Sequence, residues 1–171
     1  MSELIKNPTA MRKLQDEVCK TESSGIFAKA DMLGATTTPY LKAVVKETLR
    51  LHPPAPLLLP LECMPDATVL GYHVAKGTRV FVIAWAIHRD PDSWHAADKF
   101  LPERFLESEV DFRGGHFPFI PFGAGRRICP GMQFTLSTIE FALANLVPTF
   151  DWELSDGMAP EEHDMSDAPG W

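Results

Sequence analysis

Apolar side chains recur at helical spacing in the first third of the chain. Asn7-Pro8 is typical of a helix cap followed by proline at the first helical position, and a stripe of Met11, Leu14 and Val18 follows it at helical spacing. A second helix is predicted from Thr38-Pro39 to about His52, because Pro53-Pro54 cannot continue it. The threonines of residues 34–40 are predicted to cap this helix. Its apolar stripe consists of Leu41, Val44, Val45, Thr48 and Leu49.

The strongest helical pattern lies towards the C-terminal end, from Pro130 to Pro148. Its main stripe consists of Met132, Leu136, Ile139, Leu143 and Leu146. Phe134, Phe141 and Ala142 extend the apolar surface around this stripe. The pattern therefore predicts a third helix that is buried on most of its sides.

Between the second and third helices the pattern shortens to pieces typical of β-structure. "PAPLLLPLE" reads as an extended apolar run, "ATVLGYHV" has a turn at Gly71, and "TRVFVIAWAI" follows Gly77. The region from Arg89 to Phe119 is rich in proline, aspartate and glycine, which favours loop. The predicted fold class is mainly α with a small β-sheet.

Composition limits the function classes that remain open. The chain has 171 residues, the size of one ordinary domain, and its 45% hydrophobic content is typical of a globular protein. A net charge of −7 argues against a nucleic-acid partner. The three widely spaced cysteines, Cys19, Cys63 and Cys129, favour a reducing compartment over a disulfide framework. Without a signal-peptide pattern or a bilayer-length apolar run, we expect no membrane anchor in this chain.

Cys129 lies in a loop of glycine, arginine and aromatic residues, "FPFIPFGAGRRICPG", at the start of the third predicted helix. A helix N-terminus favours negative charge, so a cysteine there is biased towards thiolate, the form that binds metals. Gly123, Gly125 and Gly131 leave room for a flat or bulky group to approach the backbone. Arg127 adds a cation suited to carboxylates. The loop is therefore a candidate metal or cofactor site.

The same residues leave three other interpretations of Cys129 open. A lone cysteine is most often a small buried hydrophobe. A zinc site is disfavoured, because no second cysteine or histidine lies at ligand spacing. A nucleophilic cysteine needs a neighbouring histidine, and the sequence nominates none of its six histidines for that role.

The order Phe122-x-x-Gly125-x-Arg127-x-Cys129-x-Gly131 resembles the haem-binding signature of the cytochromes P450. The variant "PFGAGRRICPG" is most similar to the plant microsomal members of that family. The resemblance implies that Cys129 is the axial thiolate ligand of the iron of haem b (iron protoporphyrin IX). It also implies that Arg127 pairs with a haem propionate and that Phe122 packs near the porphyrin, with Gly125 and Gly131 completing the cofactor-binding set.

Two further motifs support the resemblance. "KETLR" contains Glu47-x-x-Arg50 on the second predicted helix, and "FLPERF" contains Arg104. On spacing alone, Glu47 and Arg50 are typical of a solvated ion pair, because the apolar stripe lies on roughly the opposite helix face. The resemblance implies instead that Glu47, Arg50 and Arg104 form a buried charge triad, which supports the cysteine-side loop and takes no part in the chemistry.

The run "PPAPLLLP" corresponds to the family segment that passes close to the haem. The resemblance therefore implies that Ala55, Leu57 and Leu58 line the substrate pocket, although a core strand is equally compatible with their composition. Plant relatives commonly carry an arginine where Leu61 stands. Because this chain lacks that arginine, Arg127 is the main expected partner of the haem propionates.

The resemblance extends along nearly the whole chain and corresponds to the later part of a P450, so residues 1–171 are expected to form a partial P450 domain. It implies a haem-thiolate monooxygenase that inserts one oxygen atom from O2 into a hydrophobic small molecule. Electrons would come from NADPH through NADPH-cytochrome P450 reductase, at the cytosolic face of the endoplasmic reticulum membrane in the full-length family. The plant likeness implies secondary metabolism. The alternative is a truncated, non-catalytic fragment with at most haem binding, because the oxygen-activating helix is not expected within the chain and no catalytic residue can be assigned.

Overall fold

The computed structural model describes residues 1–22, 38–154, 158–159 and 162–163, without the side chains of residues 21–22. The chain forms two compact units. The first comprises Met1–Glu47, Phe100–Ser108 and Gly131–Trp171, and the second comprises Thr48–Lys99 and Glu109–Pro130.

Five α-helices and four short β-strands make up the regular structure of the described residues. The helices are α1 Ser2–Lys6, α2 Pro8–Glu22, α3 Pro39–Leu51, α4 Ala84–Ile87 and α5 Met132–Thr149. The strands are β1 Leu61–Glu62, β2 Ala67–Val69, β3 Tyr72–Val74 and β4 Arg79–Val80. Two 3-10 helices, Pro102–Phe105 and Gly125–Arg127, lie in the loops. The predicted fold class, mainly α with little sheet, agrees with this content.

In the first unit, α2 packs against α5. As predicted, α2 begins at Pro8, and the amide of Met11 donates to the carbonyl of Asn7 at 3.1 Å. The Asn7 side chain is turned back towards α1, where its Nδ2 donates to the Glu3 carbonyl at 2.8 Å and to the Glu3 carboxylate at 3.2 Å. The buried face of α2 includes Leu14 and Val18, both in the predicted stripe.

The N-terminus of α3 is capped from another helix. Thr38 precedes α3 and is buried, but its hydroxyl oxygen has no hydrogen-bond partner among the described residues. The Glu17 carboxylate of α2 accepts instead from the amides of Tyr40 and Leu41, each at 3.0 Å. The prediction that Thr38 caps this helix with its side chain is therefore wrong, and residues 34–37 lie outside the described residues. A carboxylate at this position satisfies two free N–H groups and complements the helix dipole.

Helix α3 ends at Leu51, one residue before the predicted end. It is buried beyond its apolar stripe, because Glu47 and Arg50 are also fully buried. Leu41, Val44, Val45 and Leu49 are buried as predicted.

Helix α5 differs from the prediction in its start and in its burial. It begins at Met132 with Gly131 as the N-cap residue, so the predicted start at Pro130 is two residues early. Leu136, Ala144 and Val147 are buried, but Phe134 is 74% exposed and Phe141 is 47% exposed. Burial on most sides is therefore wrong for α5, since the described residues cover only one of its faces.

The strands of the second unit form two separate antiparallel pairs, β1 with β4 and β2 with β3. The β2–β3 hairpin turns at Leu70 and Gly71, whose φ angles are 49° and 84°. Such a turn suits glycine and fits the predicted turn at Gly71. After β4, the segment predicted as strand becomes helix α4. Among the described residues, no helix has the length and apolar character needed to cross a membrane.

Candidate functional site at the cysteine loop

The loop that carries Cys129 is closed by its own backbone within the second unit. The Cys129 amide donates to the Phe122 carbonyl at 3.0 Å, and between them lies the 3-10 helix Gly125–Arg127. The amide of Ile128 donates to the carbonyl of Gly125 at 3.2 Å. These two bonds fix the position of Cys129 relative to Phe122 without any side-chain contribution.

Two glycines of the loop adopt backbone conformations that other residues rarely take. Gly123 has a φ of +76° and Gly125 a φ of +70°. A Cβ at Gly125 would meet no described residue within 4 Å, so the requirement for glycine there comes from its positive φ angle. At Gly123 the nearest atom is Leu58 Cδ1 at 4.0 Å, which places the predicted pocket residue Leu58 beside the cysteine loop. The surface over Gly125 is open to a flat ligand.

A third glycine, which the sequence did not single out, packs against the outside of the loop. Gly114 has a φ of +81°, and a Cβ there would lie 3.2 Å from Ala124 Cα and 3.3 Å from Ile128 Cδ1. Phe112 also contacts the loop through a T-shaped ring contact with Phe122, at 6.0 Å between centroids. Segment 112–114 therefore packs against the cysteine loop.

The donor set fits a haem. Cys129 is a free, half-buried thiol, and Arg127 is exposed. No group of three or more histidine, cysteine or acidic side chains able to hold a metal occurs within the described ranges. A single sulfur is a poor site for a bare metal ion but suits an iron that a porphyrin already ligates. The residues present thus match a thiolate-ligated haem better than a protein-held metal.

The predicted pocket run is bent and not extended. The Leu58 amide donates to the Ala55 carbonyl at 3.0 Å, and Leu58 has a φ of 50°. The expected extended conformation, and with it the alternative of a core strand, is therefore wrong for this run. Ala55 and Leu58 are half-buried and Leu57 is 47% exposed, so apolar side chains remain available to a ligand.

Arg50 occupies a fully buried position in the second unit. Its Nη1 donates to the carbonyls of His88 and Ala97, both at 2.7 Å, and its Nη2 donates to the carbonyl of Lys99 at 3.2 Å. Its guanidinium also lies 5.2 Å from the centre of the Trp94 ring. Arg50 thus joins the end of α3 to segment 88–99.

His88 is a second buried polar side chain in this region, and no periodicity in the sequence marked it. Its Nδ1 lies 3.1 Å from the Arg50 carbonyl, and its Nε2 accepts from the Ile120 amide at 2.9 Å. Burial lowers the pKa of His88 to about 4, and the charges of Arg50 and Arg89 act in the same direction. The only sequence signal was a histidine directly after an apolar run.

Glu47 and Arg104 meet in the first unit. The Nε of Arg104 lies 3.1 Å from each carboxylate oxygen of Glu47, and the Leu101 amide donates to the same carboxylate at 2.8 Å. Glu47 is 0% exposed, as is Arg50 in the second unit. The alternative of a solvated Glu47–Arg50 pair is therefore wrong. The joint role of the triad remains a prediction.

Glu103, next to Arg104, belongs to a more exposed network of the first unit. Its carboxylate accepts from Lys13 Nζ at 2.6 Å and from the Tyr40 hydroxyl at 3.2 Å. Burial acts to raise the pKa of Glu103, but the hydrogen bonds with Lys13 and Tyr40 outweigh it and the pKa is lowered. Burial and the charge of Glu103 both raise the pKa of Tyr40. The network links α2, α3 and the 3-10 helix Pro102–Phe105.

Comparison with known proteins decides the family. The cytochrome P450 family profile matches residues 1–168. The chain belongs to the cytochrome P450 family.

Cytochrome P450 71A1 of Persea americana is 52% identical over 99% of this P450 chain and 34% of its own length. The 4-hydroxyphenylacetaldehyde oxime monooxygenase of Sorghum bicolor is 52% identical over 98% of this chain and 31% of its own. Desmethyl-deoxy-podophyllotoxin synthase of Sinopodophyllum hexandrum is 51% identical over 99% of this chain.

The fold agrees with this membership. A zebra fish cytochrome P450, whose structure was solved with progesterone, matches with a TM-score of 0.67 and 33% identity. That match covers 86% of this P450 chain and 32% of the solved chain. The chain thus spans about a third of the length of its curated relatives. The predicted family and fold class are confirmed, and haem is the cofactor that the family implies.

Proposed function

We propose that the protein to which this chain belongs is a haem-thiolate monooxygenase that inserts one oxygen atom from O2 into a hydrophobic small molecule. The observation that carries the proposal is the closed loop that presents Cys129 as a free thiol beside the open backbone of Gly125. In this proposal residues 1–171 are the haem-ligating part of a P450 domain.

Cys129 would hold the haem iron, and Arg127 would pair with a propionate because its guanidinium is exposed on the same loop. Phe122, Gly125 and Gly131 would accommodate the porphyrin. When bound, a thiolate-ligated haem activates O2 by favouring cleavage of its O–O bond. The amide of Cys129 is fully engaged with Phe122, so the loop is preorganised and the thiol needs no rearrangement of its own backbone.

The substrate class follows from the apolar run beside the loop. Ala55, Leu57 and Leu58 offer no charge, and Leu58 Cδ1 approaches Gly123. A hydrophobic small molecule is the ligand such a lining favours. Relatives named as an oxime monooxygenase, a desmethyl-deoxy-podophyllotoxin synthase and, in Catharanthus roseus, tabersonine 16-hydroxylase 2 support a role in plant secondary metabolism. NADPH-cytochrome P450 reductase would supply the electrons at the cytosolic face of the endoplasmic reticulum.

The proposal is tested first by the absorption spectrum of the haem complex and then by an assay of substrate oxidation. The chain, reconstituted with haem and reduced under carbon monoxide, should show the red-shifted Soret band of thiolate ligation. Cys129→Ser should abolish that band, while Cys19→Ser and Cys63→Ser serve as matched controls and should keep it. If the band persists without Cys129, the assignment of the ligand is wrong. The turnover assay uses a longer protein that contains this chain, and haem binding by that protein without reductase-coupled oxidation of any hydrophobic substrate would favour the alternative, a non-catalytic P450 chain.

A further inference from the structure

Arg50 and His88 hold each other through a reciprocal pair of hydrogen bonds. The Arg50 side chain donates to the His88 carbonyl at 2.7 Å, and the His88 ring contacts the Arg50 carbonyl at 3.1 Å. Both residues are fully buried, and the His88 ring also lies 5.6 Å from the Phe119 ring. The imidazole is therefore fixed in position as well as in orientation.

The hydrogen bonds also define the tautomer of His88. The Ile120 amide is a donor, so Nε2 must present a lone pair to it at 2.9 Å. Nδ1 then carries the proton and donates to the Arg50 carbonyl. A charged imidazolium would place a second N–H against the Ile120 amide. The geometry accepts only the neutral ring with its proton on Nδ1.

Ile120 passes this constraint on to the cysteine loop. Its amide is held by His88, and its carbonyl accepts from the Gly123 amide at 3.0 Å. Phe122 lies between Gly123 and Pro121, and its carbonyl holds the Cys129 amide. A displacement of Ile120 would therefore reach Cys129 through two consecutive backbone hydrogen bonds.

We propose that His88 is a positioning residue for Cys129: its neutral, Nδ1-protonated ring clamps Ile120 to the end of α3 and so fixes the loop that presents the thiolate. The part concerning thiolate presentation rests on the proposed haem-binding function. The hydrogen bonds by which His88 holds Ile120 belong to the chain alone, so experiments can reject this clamp and the haem-binding function separately. Among the described residues, the hydrogen bonds of the His88 ring run to Arg50 and Ile120 and not to Cys129, so its effect on the cysteine passes through the backbone.

The test uses the 171-residue chain with Cys19 and Cys63 replaced by serine, which leaves Cys129 as the sole thiol. His88→Phe keeps an aromatic ring and removes both hydrogen bonds. His88→Gln offers an amide oxygen that can still accept from Ile120. His73→Phe is the matched control, because His73 is an exposed histidine of β3 in the same unit. Amide hydrogen exchange at Ile120, the alkylation rate of Cys129 without haem, and the thiolate fraction of the reduced carbon monoxide complex are measured for each.

His88→Phe should speed exchange at Ile120 roughly tenfold, the change expected from loss of one hydrogen bond. It should also raise the alkylation rate of Cys129 and lower the thiolate fraction at equal haem content. His88→Gln should restore all three in part, and His73→Phe should leave them unchanged. If the His88→Phe chain loses thermal stability but keeps the exchange, alkylation and thiolate values of the parent, then His88 only stabilises the core and does not position Cys129.

If His88→Phe does not fold, the proposal can still be tested on the chain with His88 intact. Nitrogen-15 NMR of its histidines should show His88 as the neutral ring with the proton on Nδ1, and a proton on Nε2 at neutral pH would overturn the proposal. If Cys129→Ser keeps the thiolate spectrum in the chain that retains Cys19 and Cys63, the haem assignment fails instead. The hydrogen-exchange and alkylation measurements need no haem, so they still test whether His88 holds Ile120 and the cysteine loop in place.

Discussion

The Glu47 carboxylate receives Arg104 Nε at 3.1 Å while it is itself completely shielded from solvent. It also accepts from the Leu101 amide, so one buried anion holds α3 to the segment that leads into the 3-10 helix Pro102–Phe105. An anion in this environment stabilises the fold only while its partners remain in place.

Removing Glu47 should therefore be costly. Glu47→Ala leaves Arg104 and the Leu101 amide without this acceptor, and we expect a loss of roughly 3–5 kcal/mol in the free energy of unfolding. Denaturant titration measures it. Lys13→Ala is the matched control, since it breaks the solvent-exposed Lys13–Glu103 pair and should cost about 0–1 kcal/mol. Equal, small effects of both substitutions would contradict a structural role for the buried anion.

The cap of α3 offers a second comparison. Glu17→Ala removes the acceptor of the Tyr40 and Leu41 amides and should cost about 0.5–2 kcal/mol of stability. Thr38→Val removes a buried hydroxyl that has no partner among the described residues, so it should leave the free energy of unfolding unchanged or raise it. Thermal and chemical denaturation of both variants measure the difference. A larger cost for Thr38→Val would restore the threonine as the cap.

The close approach behind the cysteine loop predicts a sharp difference between adjacent glycines. Gly114→Ala forces a side chain into a left-handed conformation and against the Ala124 backbone at 3.2 Å. The conformational part alone should cost about 1–2 kcal/mol. Gly115→Ala meets nothing within 4 Å and should be tolerated. Chemical denaturation and the alkylation rate of Cys129 report stability and loop order, and equal behaviour of the two variants would refute the packing argument.

The depressed pKa of His88 gives a pH dependence with a defined sign. The ring is neutral in the folded chain down to about pH 4, whereas its ordinary pKa is 6.5. Its contribution is therefore complete above pH 6.5 and is lost as pH falls towards 4, because the unfolded chain binds the proton more readily. The shift corresponds to roughly 3 kcal/mol. Denaturation curves between about pH 7 and about pH 4.5 should converge for the parent and His88→Gln. A parent that gains stability relative to His88→Gln on acidification would reverse this sign.

Local patterns predicted the helices well where apolar spacing and proline coincide. Pro8 and Pro53-Pro54 mark the beginning of α2 and the region where α3 ends. The cysteine motif also located the loop, because its fixed positions lie within one short stretch of sequence.

The contacts that connect distant segments could not be read from the sequence. Glu17 caps a helix that begins at Pro39, and His88 holds an amide at Ile120. Neither residue stands in a local pattern, since each acts on backbone groups far along the chain. The burial of Glu47 escaped the periodicity argument for the same reason, because residues near Leu101 cover its helix face.

The exposed face of α5 leads to the last prediction. Phe134 and Phe141 lie two turns apart on one face and are 74% and 47% exposed, whereas Leu136 on the other side is 3% exposed. Exposed aromatic side chains of this kind promote association. Phe134→Gln with Phe141→Gln should therefore reduce self-association of the 171-residue chain, as measured by light scattering, and leave its stability nearly unchanged. Leu136→Gln is the control: it buries a polar amide in the α5 core and should destabilise the chain without improving its solubility. If the double variant unfolds as Leu136→Gln does, then this face packs against the chain itself and is not available to other molecules.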